Sequence, residues 1–113
     1  MESKAIARFQ RIGPRKARAI VDLVRGKGVE EALTALQFTQ KAAAPIVARV
    51  IDSAIANAKV RSPNIDVDTL YVMTAFVDKG PNKHMRRWRP RAMGRATRIA
   101  RGISHITIIL GER

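Results

Sequence analysis

The chain contains no cysteine, which excludes disulfides, a thiolate zinc site and a cysteine nucleophile. Acidic side chains are scarce, nine Asp and Glu against 22 Lys and Arg. Long apolar runs are missing as well. The longest stretch free of Asp, Glu, Lys and Arg is ten residues, Gly102 to Gly111, about half of what a membrane helix needs. Charges at Glu2, Lys4, Arg8 and Arg11 interrupt the start of the chain, so the apolar segment of a signal peptide is not expected. The Arg-rich start is not read as a transit peptide, because the patterned domain begins within the first few residues.

What is present is 113 residues with a net charge of +13 and 46% hydrophobic residues. That composition is too apolar for a disordered basic tail and suits one domain with one core. So basic a balance points to polyanionic partners, nucleic acid first. The charge is unevenly spread. Residues 1–27 carry eight Lys/Arg and two acids, and residues 28–78 carry four and six. Residues 79–101 carry nine Lys/Arg and no acid.

The local pattern predicts a short strand over Lys4–Gln10. Gly13-Pro14 opens a helix, with proline suited to the first helical position. Ala17, Ile20, Val21 and Val24 form its apolar stripe, while Arg15, Lys16, Arg18 and Arg25 fall largely off it. Gly26 is the expected stop. A second helix carries Val29, Ala32, Leu33 and Leu36 on one face. The third and clearest spans about Lys41–Val60, with Ala43, Ile46, Val47, Val50, Ile51, Ala54, Ile55 and Ala58 at helical spacing. Thr69–Val77 alternates as a strand with Leu70, Val72, Thr74 and Phe76 facing one way. Ile103–Leu110 is rich in β-branched residues and is also read as a strand. The expected fold is one α+β domain over residues 1–113: three helices packed on a small three-stranded antiparallel sheet. Phe9, Phe38, Tyr71 and Phe76 lie in patterned segments and are expected in the core.

The segment 79–101 joins two strong strands yet has almost no core-forming residues. A connection that long in a compact domain is functional or disordered. It is expected to form a basic β-hairpin arm projecting between the last two strands, each leg of about 11 residues reaching roughly 35 Å at ~3.3 Å per residue. With nothing buried to offset the repulsion of its cations, it is expected to order only against a polyanion. Trp88, set in Arg86-Arg87-Trp88-Arg89, can stack on a base or an arginine plane.

No catalytic constellation emerges. Ser104 and His105 are adjacent on a predicted strand and point to opposite faces. His84 and His105 have no Cys or carboxylate partner at metal-ligand spacing. Asn64, Asp66 and Asp68 lack the Gly and terminal Glu of a calcium loop. Gly26-Lys27-Gly28 lacks the rest of a phosphate-binding loop. No enzyme activity, metal or cofactor is expected.

The chain carries Ser3 to Arg8, Gly13-Pro14-Arg15-Lys16-Ala17-Arg18, Asp22 to Lys27, Ser53 to Ala58, Val77-Asp78-Lys79-Gly80-Pro81, Pro90-Arg91-Ala92-Met93-Gly94-Arg95-Ala96 and Ser104-His105-Ile106-Thr107. In this order the segments together resemble the bacterial large-subunit ribosomal protein twenty-two family. The resemblance implies a cytoplasmic constituent of the ribosome that binds large-subunit rRNA, supports subunit assembly and lines the nascent-peptide exit tunnel with its hairpin. Expected partners are that rRNA, neighbouring large-subunit proteins and the nascent peptide, with no membrane and no homo-oligomer. The implied rRNA contacts are Arg8, Arg11, Arg15, Lys16, Arg18, Arg25, Lys27, Lys79, Lys83, His84, Arg91, Arg95, Arg98 and Arg101. The hairpin tip is expected around Asn82–Arg91, with Met85, Arg86, Arg87, Trp88, Arg89 and Pro90 lining the tunnel. The competing reading is a β-arm architectural DNA-binding protein, with Pro90 as the wedge between base steps. A membrane-active cationic protein is disfavoured because the arm has no continuous apolar face.

Overall fold

A computed structural model describes residues 2–80, 86–90, 96–100 and 102–112, the two middle segments as backbone. Chain order runs β1 (Glu2–Gln10), α1 (Pro14–Val24), α2 (Val29–Gln37), α3 (Ala43–Arg61), a 3-10 turn (Val67–Thr69), β2 (Leu70–Lys79), β3 (Arg86–Pro90), β4 (Ala96–Ala100) and β5 (Ser104–Glu112). The last strand enters the centre of an antiparallel sheet ordered β1-β5-β2, and β3 pairs with β4 as a separate hairpin. The α+β architecture and its inserted hairpin are those expected from the sequence. The longest dimension is 65 Å, against 26 and 15 Å.

Each helix begins and ends for local reasons. Gly13 precedes α1 and Pro14 occupies its first turn, where the missing N–H has no intrahelical partner to lose. Gly26, at φ 82°, reverses the chain after it, a conformation that glycine adopts without a Cβ clash. In α2, Glu30 and Glu31 sit in the first turn, and in α3, Lys59 and Arg61 sit in the last. Both arrangements oppose the helix dipole. Pro45 is tolerated because it falls in the first turn of α3.

The core lies between the helices and one sheet face. Ala17, Ile20, Val21 and Val24 of α1 meet Val47, Val50, Ile51, Ala54 and Ala58 of α3 and the strand residues Leu70, Val72, Ile106, Ile108 and Leu110. Ser3 is buried on the same face and donates its hydroxyl to the Ala54 carbonyl at 3.0 Å.

Strict alternation fails in β2. Val72 pairs with Leu110 and Thr74 with Ile109, so Met73 is an extra residue. This β-bulge reverses the faces of the strand beyond it. Ala75 and Val77 are therefore buried instead of Thr74 and Phe76. The expected core aromatics are corrected on the same ground. Phe76 is 40% exposed, Phe9 61% and Phe38 78%, and Tyr71 is only half-buried. Phe9 lies in a second bulge, between Ala7 and Gln10 of β1, with φ 56°. Phe38 follows the last residue of α2. Periodicity marks a residue as part of an element, but the bulges and helix ends decide its face.

Both sheet edges are partly capped, by side chains and by backbone. On β2, the Arg25 Nε and Nη2 donate to the Ala75 carbonyl and the Arg18 Nε and Nη2 donate to that of Val77. Further along, Gly26 N–H donates to Val72 O, and Val72 N–H donates to Lys27 O. On β1, Arg61 Nη1 donates to Glu2 O and Asn57 Nδ2 to Lys4 O. Such donors occupy carbonyls that would otherwise template pairing with another chain.

Candidate nucleic-acid interface

The arm leaves one end of the sheet. Gln10 of β1 and Lys79 of β2 both register with Ser104, the first residue of β5. Gly80 N–H donates to Ile103 O at 2.7 Å, which extends the β2–β5 pairing outward. Six residues separate β2 from β3 on the way out, whereas three separate β4 from β5 on the return. Arg86 pairs with Ala100 and Pro90 with Ala96. Of the tip expected around Asn82–Arg91, Arg86–Pro90 form β3, and the rest lies outside the described residues.

The arm root is closely packed. The Ser104 hydroxyl donates to Ile12 O. The Nδ1 of His105 accepts the Phe9 N–H at 3.1 Å, and the Phe9 and His105 rings meet edge to face, centroids 4.9 Å apart. A Cβ on Gly80 would stand 2.8 Å from Ile103 Cγ2 and 3.1 Å from His105 Nε2, so an added methyl would have to displace those two side chains. Ser104 and His105 each bind backbone and serve as fasteners of the root.

Cations gather around this root. Arg8 is exposed near the end of β1, Arg11 in the turn, Arg15 and Lys16 in the first turn of α1, and Lys79 at the end of β2. Asp78, opposite His105, is an acid at the same end. Arg18 and Arg25 differ from these five. Their guanidinium groups are held on β2 carbonyls, and Arg25 also pairs with Asp22, so much of their donor fork is already engaged. Lys27 is half-buried beside Val72. Arg86, Arg87, Trp88, Arg89 and Pro90 occupy β3 and Arg98 occupies β4. Lys83, His84, Met85, Arg91, Arg95 and Arg101, and the expectation that the arm orders only on a polyanion, lie outside the described residues.

One cation was missed by reading charge runs. Lys41 belongs to the nearly neutral middle block, yet it lines a cavity of about 560 Å³ together with Arg11 and Lys16. No sequence signal links residue 41 to residues 11–16; the packing of α3 beside α1 does.

Among the described residues no group of His, Cys, Asp or Glu could hold a metal ion, and no helix is long and apolar enough to cross a membrane. The arrangement offers a cationic surface at the base of a long arm, suited to phosphate contacts.

Known proteins supply the family. The model of the family described as ribosomal protein L22p/L17e matches residues 5–111. A protein of Sorangium cellulosum (strain So ce56), named large ribosomal subunit protein uL22, is 58% identical over 113 residues, covering 100% of this chain and 99% of that one. Proteins of the same name from Syntrophobacter fumaroxidans (strain DSM 10017 / MPOB) and Syntrophus aciditrophicus (strain SB) are 53% and 51% identical, with 100% of both chains covered in each case. This chain belongs to the ribosomal protein L22p/L17e family, a family of structural ribosomal proteins and not of enzymes.

Proposed function

We propose that this chain is a structural constituent of the large ribosomal subunit, in the cytoplasm, acting as a single domain of residues 1–113. It binds large-subunit rRNA through the cations at its arm root and supports subunit assembly. The observation that carries this is the clustering of Arg8, Arg11, Arg15, Lys16 and Lys79 around the base of the hairpin in a chain of this family. RNA is recognised largely through phosphates, 2′-hydroxyls and shape, which exposed cations on a rigid body can read. The arm itself, residues 79–101, adds Lys83, His84, Arg91, Arg95, Arg98 and Arg101 as phosphate contacts, with bidentate geometry wherever arginine is used. Met85, Arg86, Arg87, Trp88, Arg89 and Pro90 line the nascent-peptide exit tunnel in this reading. Neighbouring large-subunit proteins and the nascent peptide are its other partners.

The β-arm DNA-binding alternative needs an apolar dimer interface. Ala54, Ala58, Val47 and Ile51 of α3 are instead buried in the chain's own core, which favours a monomer.

Sedimentation of tagged protein from lysate at moderate and high salt tests the function. The expected result is a near one-to-one peak with the large subunit that survives the wash. Release as a free dimer, or a peak with nucleoid DNA, would overturn it. The double variant Arg95→Glu, Arg98→Glu should impair incorporation more than Trp88→Ala does, and equal incorporation would sink the phosphate-clamp role of the arm.

A further inference from the structure

The cavity noted above lies where the β1–α1 turn and α1 face the start of α3. Its volume of about 560 Å³ is within the range of about 300–1,000 Å³ of sites that hold small organic groups. Its lining divides by chemistry. Ile12, Ala19, Ile20, Ala42 and Ala43 give an apolar wall, Arg11, Lys16 and Lys41 are cationic, and Gln40 contributes a primary amide. Among the described residues lining it, none is acidic. Ile20 and Ala43 anchor the wall in the core, Ile12 is half-buried, and Ala19, Ala42 and all three cations are exposed. Arg11 and Lys16 belong to the cationic arm root, which makes the cavity continuous with the surface assigned to RNA.

We infer that this cavity receives one unstacked nucleotide of the bound RNA, its base against the apolar wall and its phosphate between Arg11, Lys16 and Lys41. This inference rests on the rRNA-binding reading and deepens it. An apolar wall suits the face of a base and nothing of a paired helix, whose bases are stacked inward. A ring of cations suits a phosphate. The Gln40 amide, a donor and an acceptor on one group, can meet a base edge. Sequence-specific RNA recognition commonly uses bases splayed out in this way.

The test uses the full chain and protein-free large-subunit rRNA, with base-specific chemical probing and filter binding across a salt series. The wild-type chain is expected to shield an unpaired base from modification. Ala19→Phe fills the cavity from an exposed helix position and should restore that reactivity. Affinity should fall about 5- to 10-fold, the scale of part of a base's apolar face returned to water, and the log–log salt slope should drop by at most about one phosphate's worth as the nucleotide leaves. Gln40→Ala, which adds no bulk, should also restore reactivity at the same base. Lys41→Ala should lower the slope by about one phosphate's worth. Wild-type protection and affinity in both Ala19→Phe and Gln40→Ala would overturn the inference. So would a loss of affinity with no base re-exposed. A wild-type chain that fails to bind this RNA overturns the rRNA-binding reading itself, and the inference with it.

Discussion

Gly102 lies against Gly13 so closely that a Cβ on Gly102 would stand 2.8 Å from the Gly13 Cα and 3.1 Å from Pro14 Cδ. The return leg of the arm is thereby seated on the first residues of α1, the helix that presents Arg15 and Lys16. Gly102→Ala must push these two backbones apart. Overpacking of this kind costs about 1–3 kcal/mol, so thermal denaturation should show a Tm lower by roughly 4–12 °C. An unchanged Tm would mean that the arm root yields freely.

The cations separate into two groups with different expected phenotypes. Arg18→Ala and Arg25→Ala remove donors from β2 carbonyls and should destabilise the fold by about 0.5–1.5 kcal/mol each, a modest value because Arg25 is half exposed. Arg15→Ala and Lys16→Ala should leave Tm unchanged and weaken rRNA binding. Denaturation and filter binding on the same four variants decide the matter; matching behaviour in all four would erase the distinction.

The bulge at Met73 predicts the reverse of simple alternation. Phe76→Lys, on the open sheet face, should cost no more than about 1.5 kcal/mol, since its long stem can lie along the sheet. Val77→Lys would bury a charge at a position 4% exposed and should leave the chain unfolded at room temperature. Circular dichroism of the two variants reads this directly, and a folded Val77→Lys would contradict the pairing.

Salt should dissolve the complex with free RNA steeply. If about ten phosphates are neutralised, affinity falls by roughly three to five decades between 50 and 200 mM salt. Replacing residues 81–101 by a short turn should keep the body folded, because among the described residues every core residue lies between Ala5 and Val77 or between Ile106 and Leu110. The same replacement should flatten the salt slope. A slope identical to that of the intact chain would mean that the arm contacts no phosphate.

Much of this was legible in the chain because it is local. The stripe Ala17, Ile20, Val21 and Val24 follows from helical period alone, and all four residues are buried. The same holds for Val47, Val50, Ile51, Ala54 and Ala58 of α3. Gly13-Pro14 and Gly26 marked the ends of α1 through backbone sterics. The acid-free run 79–101 marked an inserted arm because it offers no core.

Other features exist only once distant segments meet. The partner strand β5 determines that Met73 is the extra residue, and with it the face of Phe76. The pairing of Arg86 with Ala100 through Pro90 with Ala96 places Arg86–Pro90 in a strand, which composition does not encode. Arg18 and Arg25 read as free helix cations until β2 is laid beside α1 and its edge carbonyls accept their donors. Lys41 joins Arg11 and Lys16 only through helix packing. Sequence by itself determined the elements, their buried stripes and the polyanion-seeking charge, since these depend on periodicity and composition. Tertiary structure decided which cations remain free for RNA, because hydrogen bonds and cavities form between residues that packing, not the chain, makes neighbours.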